Sequence, residues 1–266
     1  MMDEIRGFNI LRVTEEGRSE VEDVVAREFP LTIILDNQEL VTLLCTPKDL
    51  KYLAIGFLSS EGLIQHKGEI RKIILDDRRG VVRVETEGDK GGATELIFKR
   101  LITSGCGSGA AFYRAADTIN QAKVESQMKV SAGEVFALAK EFQQSSQIYR
   151  ATHGVHSAAM CDTKDILIFA EDIGRHNAVD KIFGRCILED VSTDDRMIIS
   201  SGRISSDVVL KIARRNIPIV ISKSTPTDLA VDLAARLGVT LIGFVRGKKM
   251  NVYTEGWRVI GDEQFR

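Results

Sequence analysis

Ile166-Leu-Ile-Phe-Ala-Glu-Asp-Ile-Gly-Arg-His-Asn-Ala-Val-Asp-Lys-Ile-Phe-Gly-Arg-Cys-Ile-Leu188 reads as an apolar strand, a polar turn and a helix in direct succession. Ile166 to Ala170 is strand-sized, and Phe183, Cys186 and Ile187 recur at helical spacing in a helix expected from about Asn177 to Leu188. The same alternation continues downstream: Met197 to Ser200, a helix from Ser206 to Arg215, Ile217 to Ile221, a helix from Asp228 to Leu237, then Val239 to Val245. One further strand, Ser157 to Met160, precedes it. Strands alternating with helices predict a layered α/β domain with a largely parallel sheet.

Working towards the N-terminus, Ser131 to Gln144 is an amphipathic helix with Val135, Leu138, Ala139 and Phe142 on one face and a Ser131/Glu134 capping box. Before it lies the most glycine-dense run, Thr103-Ser-Gly-Cys-Gly-Ser-Gly109, a hinge or a functional loop. Residues 29–102 read as a small α+β unit. Leu31 to Leu35 and Leu40 to Leu44 form a hairpin about Asp36-Asn37, a helix opens at Thr46-Pro47 and closes at Gly62, and three strands follow (Ile70 to Leu75, Val81 to Glu85, Glu95 to Leu101). Residues 1–28 carry eight acids against four bases, with apolar residues too sparse for a core, and read as a lead segment or edge strand. The expected partition is thus 1–28, 29–102, a Gly-rich connector over 103–124, and an α/β domain over 125–266.

Composition narrows the function. At 44% hydrophobic and 28% charged, the 266 residues suit a globular protein and exclude disorder, collagen and coiled coil. A net charge of −2 supplies no general field for nucleic acid or an anionic membrane, so a polyanion must meet a local patch. Apolar runs fall far short of a membrane span. Four cysteines without C-x-x-C spacing, and no signal peptide, point to thiols of a reducing cytoplasm.

Chemistry has several candidate seats. Cys106 sits among glycines and serines with no packing to do, so it is either a functional thiol or an exposed Cys in a turn, whereas Cys45, Cys161 and Cys186 have apolar settings and read as core. Asp172, Arg175, His176 and Asn177 follow a strand where α/β sheets place a ligand crevice; the alternative is a solvated turn with Asn177 as helix cap. Gly202 and Arg203, and likewise Ser222, Lys223, Ser224 and Thr225, place hydroxyls, backbone amides and a cation before a helix. Such loops cradle phosphate, or Ser205 and Thr227 merely cap. Phe244, Val245, Arg246, Gly247, Lys248 and Lys249 gather three cations beside an aromatic, suiting an anionic ring-bearing ligand or else making a charged turn. His153 and His156 offer at most two metal ligands, or line a polar pocket.

Taken together, Thr103-Ser-Gly-Cys-Gly107, His153-Gly-Val-His156, Glu171-Asp-Ile-Gly-Arg-His-Asn-Ala-Val-Asp-Lys181, Ser201-Gly-Arg203, Ser222-Lys-Ser-Thr-Pro-Thr227 and Gly243-Phe-Val-Arg-Gly247 resemble the FdhD/NarQ family of formate dehydrogenase accessory sulfurtransferases, from about Glu28 onward. The resemblance implies a sulfur carrier that accepts persulfide sulfur from a cysteine desulfurase. It then sulfurates the molybdenum cofactor, Mo-bis(molybdopterin guanine dinucleotide), bound as substrate before that cofactor enters formate dehydrogenase. It implies an α+β protein overall, with a small N-terminal α+β domain joined to a three-layer cytidine-deaminase-like domain, and a homodimer. By position, Cys106 carries the persulfide and Phe244 to Lys249 bind the cofactor, with no resident metal. On this reading the cofactor's phosphates lie near Arg203, Lys223 and Arg246, while His176 or Asp172 manages a proton. The family's C-x-x-C is Cys106-Gly-Ser-Gly109 here, which removes any mechanism needing a second thiol and leaves a single-cysteine relay. Two rivals stand beside it: a cofactor chaperone that handles no sulfur, and a metal-dependent hydrolase using His153 and His156. Deaminase activity does not follow from the fold, since the H-x-E and zinc cysteines are missing.

Overall fold

The computed structural model describes residues 4–88 and 121–261. Cys106, the Gly-rich run, the strand expected over Glu95 to Leu101 and most of the 103–124 connector lie outside the described residues.

Strands β1 (Ile5–Thr14) and β2 (Gly17–Ala26) pair with each other over ten positions as a separate ribbon. The lead segment is therefore a hairpin. Its apolar residues are spread over both faces, so Phe8, Leu11, Val13 and Val25 remain exposed, and the sparse pattern read as lacking a core indeed builds none.

Next come β3 (Phe29–Leu35), β4 (Gln38–Cys45), helix α1 (Leu50–Ser60), β5 (Ile70–Asp76) and β6 (Val81–Thr86), the strands ordered β4-β3-β6-β5. Asp36 and Asn37 both take positive φ (46° and 67°), giving the tight two-residue turn that matches strand twist. Leu31, Ile33, Val82 and Val84 meet Leu53, Ala54 and Leu58 of α1 in one core. The helix does not start at Thr46-Pro47 as its capping pattern suggests. Asp49 is left-handed (φ 56°) and supplies no side-chain cap, because Thr46 is recruited elsewhere.

The larger unit contains β7 (Val130–Ser131), α2 (Ala132–Ser145), α3 (Gln147–Thr152), β8 (His156–Cys161), β9 (Ile166–Asp172), α4 (Arg175–Leu188), β10 (Met197–Ser200), α5 (Ser206–Arg214), β11 (Ile219–Ser222), α6 (Asp228–Leu237), β12 (Thr240–Arg246), β13 (Lys249–Val252) and β14 (Val259–Ile260). Six of the strands form one sheet, ordered β13-β12-β11-β10-β8-β9. The expected largely parallel sheet is in fact mixed. β10-β11 and β11-β12 run parallel, but β12-β13, β10-β8 and β8-β9 are antiparallel, since β8-β9 and β12-β13 are hairpins without a crossover helix.

Strand residues alternate between two cores, as a period of two requires. Ala158, Met160, Ile198, Val220 and Leu241 face α4, α5 and α6. Ala159, Cys161, Ile199, Ile221 and Ile242 face Val135, Leu138 and Phe142 of α2, giving three layers, helix–sheet–helix. The Ser131/Glu134 capping box forms as read, with Ser131 Oγ accepting from Glu134 N at 3.2 Å. Asn177 is not the cap of α4; Gly174 is.

The two units share an interface through α1 and α4. A Cβ at Gly56 would strike the Asp180 carbonyl oxygen, and one at Gly184 the Tyr52 carbonyl oxygen, so the helices cross backbone against backbone. Ile187 of α4 belongs to the N-terminal core. Cys45, Cys161 and Cys186 are buried and free, and burial pushes their thiols up to about 12, 12 and 11. Among the described residues no helix is long and apolar enough to cross a membrane.

Candidate functional site

β9, β10, β11 and β12 all end on the side of the sheet where β8 begins, as the pairs His156↔Asp172 and Ser200↔Ser222 show. The loops after these strands therefore converge. Their hydroxyls hold the loops to each other: Ser222 Oγ donates to Gly202 O (2.7 Å) and accepts from Ser224 N (2.9 Å), and Ser200 Oγ accepts from Gly202 N (3.2 Å). Ser201 Oγ accepts from Ser157 N (2.9 Å), and Lys223 N reaches Ser200 O (3.2 Å). Gly202 is placed so that a Cβ would press on the Arg175 side chain and on His156 Nδ1.

Beside these loops a cleft of about 1140 Å³ opens between α2 and the sheet end. One wall is Phe136, Lys140, Gln143 and Ser146, continuing to Tyr149 and His153; the other is Lys223, Ser224 and Val245 to Lys248. His156, Ser157 and Ser201 lie between them. Lys140, Lys223, Arg246 and Lys248 give the lining four cations, and no Asp or Glu is among the described residues that line it. Lys223 Nζ donates to Gln143 Oε1 at 2.6 Å, tying the walls together, while burial and nearby Arg246 lower its pKa. Arg246 stacks on the Phe244 ring at 4.3 Å. Phe244 itself is left-handed (φ 57°), costly for a bulky residue, at an irregularity of the β12-β13 register, and its N–H is held by Ser224 O (2.9 Å). Such irregularities re-aim side chains beside sites, and here Arg246 is the residue that follows. Burial and Arg175 lower the pKa of His156, whose Nδ1 lies 3.5 Å from Ser201 Oγ.

Of the residues singled out from sequence, His153, His156, Lys223, Ser224, Val245, Arg246, Gly247 and Lys248 line this cleft; Gly202 and Ser222 are buried in the loops beside it, Phe244 lies under Arg246, and Arg203, Thr225 and Lys249 are exposed without lining it. Of the Asp172 group, Arg175 packs against Gly202 beside His156 at the edge of the cleft, while Asp172, His176 and Asn177 do not line it. Asp172 is wholly buried: Oδ2 meets Lys181 Nζ (2.6 Å) and Thr46 N and Oγ1 (3.1 Å each), and Oδ1 accepts from Gly174 N and Asn177 Nδ2 (2.9 Å each). Asn177 Nδ2 also reaches Leu44 O at 2.9 Å. These residues join the two units. His176 is held neutral, its pKa pushed down to about 3 by burial, then by Lys211, Arg175 and His156. The preceding Glu171, also buried, accepts from Ile148 N and Tyr149 N (3.1 Å each) and so fixes the start of α3.

The α2 wall was missed from sequence, because Phe136, Lys140 and Gln143 look like ordinary positions of an amphipathic helix until the sheet is laid beside them. His153 packs edge-to-face on Tyr149, and no third His, Cys, Asp or Glu among the described residues joins the two histidines as a metal group.

The sequence profile of the FdhD/NarQ family matches residues 26–260. The chain belongs to the FdhD/NarQ family. A relative in Bacillus subtilis named sulfur carrier protein FdhD is 46% identical over 92% of this chain and 94% of its own length. The FdhD of Listeria innocua is 40% identical over 95% and 98%. A solved structure from Desulfotalea psychrophila, assigned as a formate dehydrogenase accessory protein, superposes with a TM-score of 0.80 at 27% identity, covering 97% of this chain and all of that one.

Proposed function

We propose that this FdhD/NarQ member is a sulfur carrier in formate dehydrogenase maturation, accepting sulfur on Cys106 from a cysteine desulfurase and passing it to Mo-bis(molybdopterin guanine dinucleotide) held in the cleft. The carrying observation is the cleft lining of Lys140, Lys223, Arg246 and Lys248 without a carboxylate among its described residues. Such a lining suits a ligand whose diphosphates carry several negative charges. The names of the relatives support the sulfur-carrier half of the reading.

In the loading step the Cys106 thiolate attacks the outer sulfur of the donor persulfide. The donor S–S bond breaks, its cysteine leaves as thiolate, and a persulfide forms on Cys106. The cofactor is the substrate of the second transfer. The S–S bond of the Cys106 persulfide breaks, Cys106 leaves as thiolate, and the outer sulfur would become a sulfide ligand of the cofactor's metal, whose own two-electron oxidation would supply the electrons. Lys223, Arg246 and Lys248 would hold its phosphates, with Lys140 opposite. Neutral His156, inside the cleft, replaces His176 and Asp172 as the group able to take a proton there, since Asp172 is enclosed by protein donors. Three buried, free thiols support action in a reducing cytoplasm. A homodimer, with the desulfurase and formate dehydrogenase as successive partners, completes the proposal.

The test is intact-protein mass spectrometry after incubation with a cysteine desulfurase and cysteine, comparing wild type with Cys106→Ala. The expected result is a gain of one sulfur atom in the wild type only. No gain, or equal gain in both, turns the assignment to a chaperone that delivers cofactor without handling sulfur.

A further inference from the structure

The cations of the cleft account for a ligand's phosphates and leave its far end unexplained. Along α2 and α3 the lining passes from Lys140 and Gln143 to Ser146 and then to Tyr149 and His153, where no cation is among the described residues that line it. A nucleotide or pterin diphosphate needs a second kind of contact, a flat surface for its fused ring.

The aromatic residues near the cleft are not equivalent. Phe142 is buried and packs edge-to-face on Phe169, Phe136 is half-buried against the core beneath α2, and the Phe244 ring is covered by the Arg246 guanidinium. Tyr149 is 43% exposed, and its ring meets His153 at 5.1 Å and 79°. Both line the cleft.

This pair is also built firmly. The buried Glu171 carboxylate holds the N–H groups of Ile148 and Tyr149 at 3.1 Å, and His153 N closes the helix on Tyr149 O at 2.7 Å. Thr152 Oγ1 bonds to Ile148 O (2.8 Å) and accepts from Gly154 N (3.1 Å). His153 occupies a left-handed conformation (φ 53°) that a residue with a Cβ adopts at a cost, and this turn presents its ring beside Tyr149.

We infer that Tyr149 and His153 form a ring-stacking subsite for the fused heteroaromatic part, guanine or pterin, of the anionic ligand whose phosphates lie at Lys223, Arg246 and Lys248. This deepens the proposed function and rests on its anion cleft. An aromatic face stacks on either ring with little regard to its substituents, which suits a ligand carrying both.

The test is equilibrium binding to the full-length chain of three probes: GDP, inorganic pyrophosphate and a free pterin. Wild type is compared with Tyr149→Leu, His153→Leu and Tyr149→Phe. Tyr149→Leu and His153→Leu should each weaken GDP or the pterin about tenfold and leave pyrophosphate unchanged, with Tyr149→Phe close to wild type. Loss with GDP assigns the subsite to guanine, and loss with the pterin alone assigns it to the pterin. Undiminished affinity for both in Tyr149→Leu overturns the subsite while sparing the cleft. An equal loss of pyrophosphate shows a merely structural role and also overturns it. A wild type that binds none of the three removes the cleft reading and the subsite together.

Discussion

Asp172 shows how one residue's type leaves its task open. Its place at a strand end suits a ligand contact, yet its two oxygens meet Lys181, Thr46, Gly174 and Asn177 with no exposure. Removing the carboxylate strands a buried ammonium, so Asp172→Ala should cost about 3–5 kcal/mol in urea unfolding, and adding Lys181→Met should recover part of it. His176 sets a pH dependence. The unfolded chain protonates this imidazole below its ordinary value of 6.5, whereas the folded chain does so only near 3. Between these values the unfolded state binds the extra proton, so the stability contributed by neutral His176 is complete above 6.5 and is lost as pH falls. His176→Gln should therefore reduce the loss of stability between pH 7 and pH 5 by about 1–2 kcal/mol, read from urea midpoints at the two pH values.

Elements meet here at distances their own patterns do not announce. Gly56 and Gly184 look like weak points in two helices, and an isolated helix would gain about 1 kcal/mol from alanine at either. In the fold each faces a carbonyl of the opposing helix, Asp180 or Tyr52, and backbone cannot swing aside as a flexible side chain would. The clash outweighs the propensity: Gly184→Ala should lower stability by about 3 kcal/mol or separate the α1–α4 contact, measured by calorimetry and by hydrogen exchange of α1. Helix and strand periods were legible in sequence, and the bounds of α6 (Asp228–Leu237) agree with the reading. The start of α1 was not, because Thr46 satisfies Lys181 and Asp172 across the unit boundary instead of capping its own helix.

At the scale of the whole molecule, a chain of net charge −2 places four cations around one cleft. Binding of pyrophosphate should consequently weaken several-fold between about 0.05 and 0.5 M salt despite the negative total, since exposed Arg246 and Lys248 act through a screened field. Arg246→Glu should reduce affinity at low salt by at least about tenfold and flatten that salt dependence, as titration calorimetry would show; unchanged affinity removes Arg246 from the site.

By itself the sequence determined the alternation of strands and helices, the Asp36-Asn37 turn, the Ser131 cap and much of one side of the cleft, Lys223, Ser224 and the run from Val245 to Lys248, with His153 and His156. All of these depend on residues close along the chain, where period, turn chemistry and capping act. Tertiary structure alone decided the mixed direction of the sheet, the separate β1-β2 ribbon, the burial of Asp172 and the opposing wall of α2. Those depend on which strand lies beside which and on which polar group reaches a partner more than a hundred residues away, as Thr46 reaches Asp172. A local pattern carries no term for either, because a buried charge is set by the partner that pairs with it.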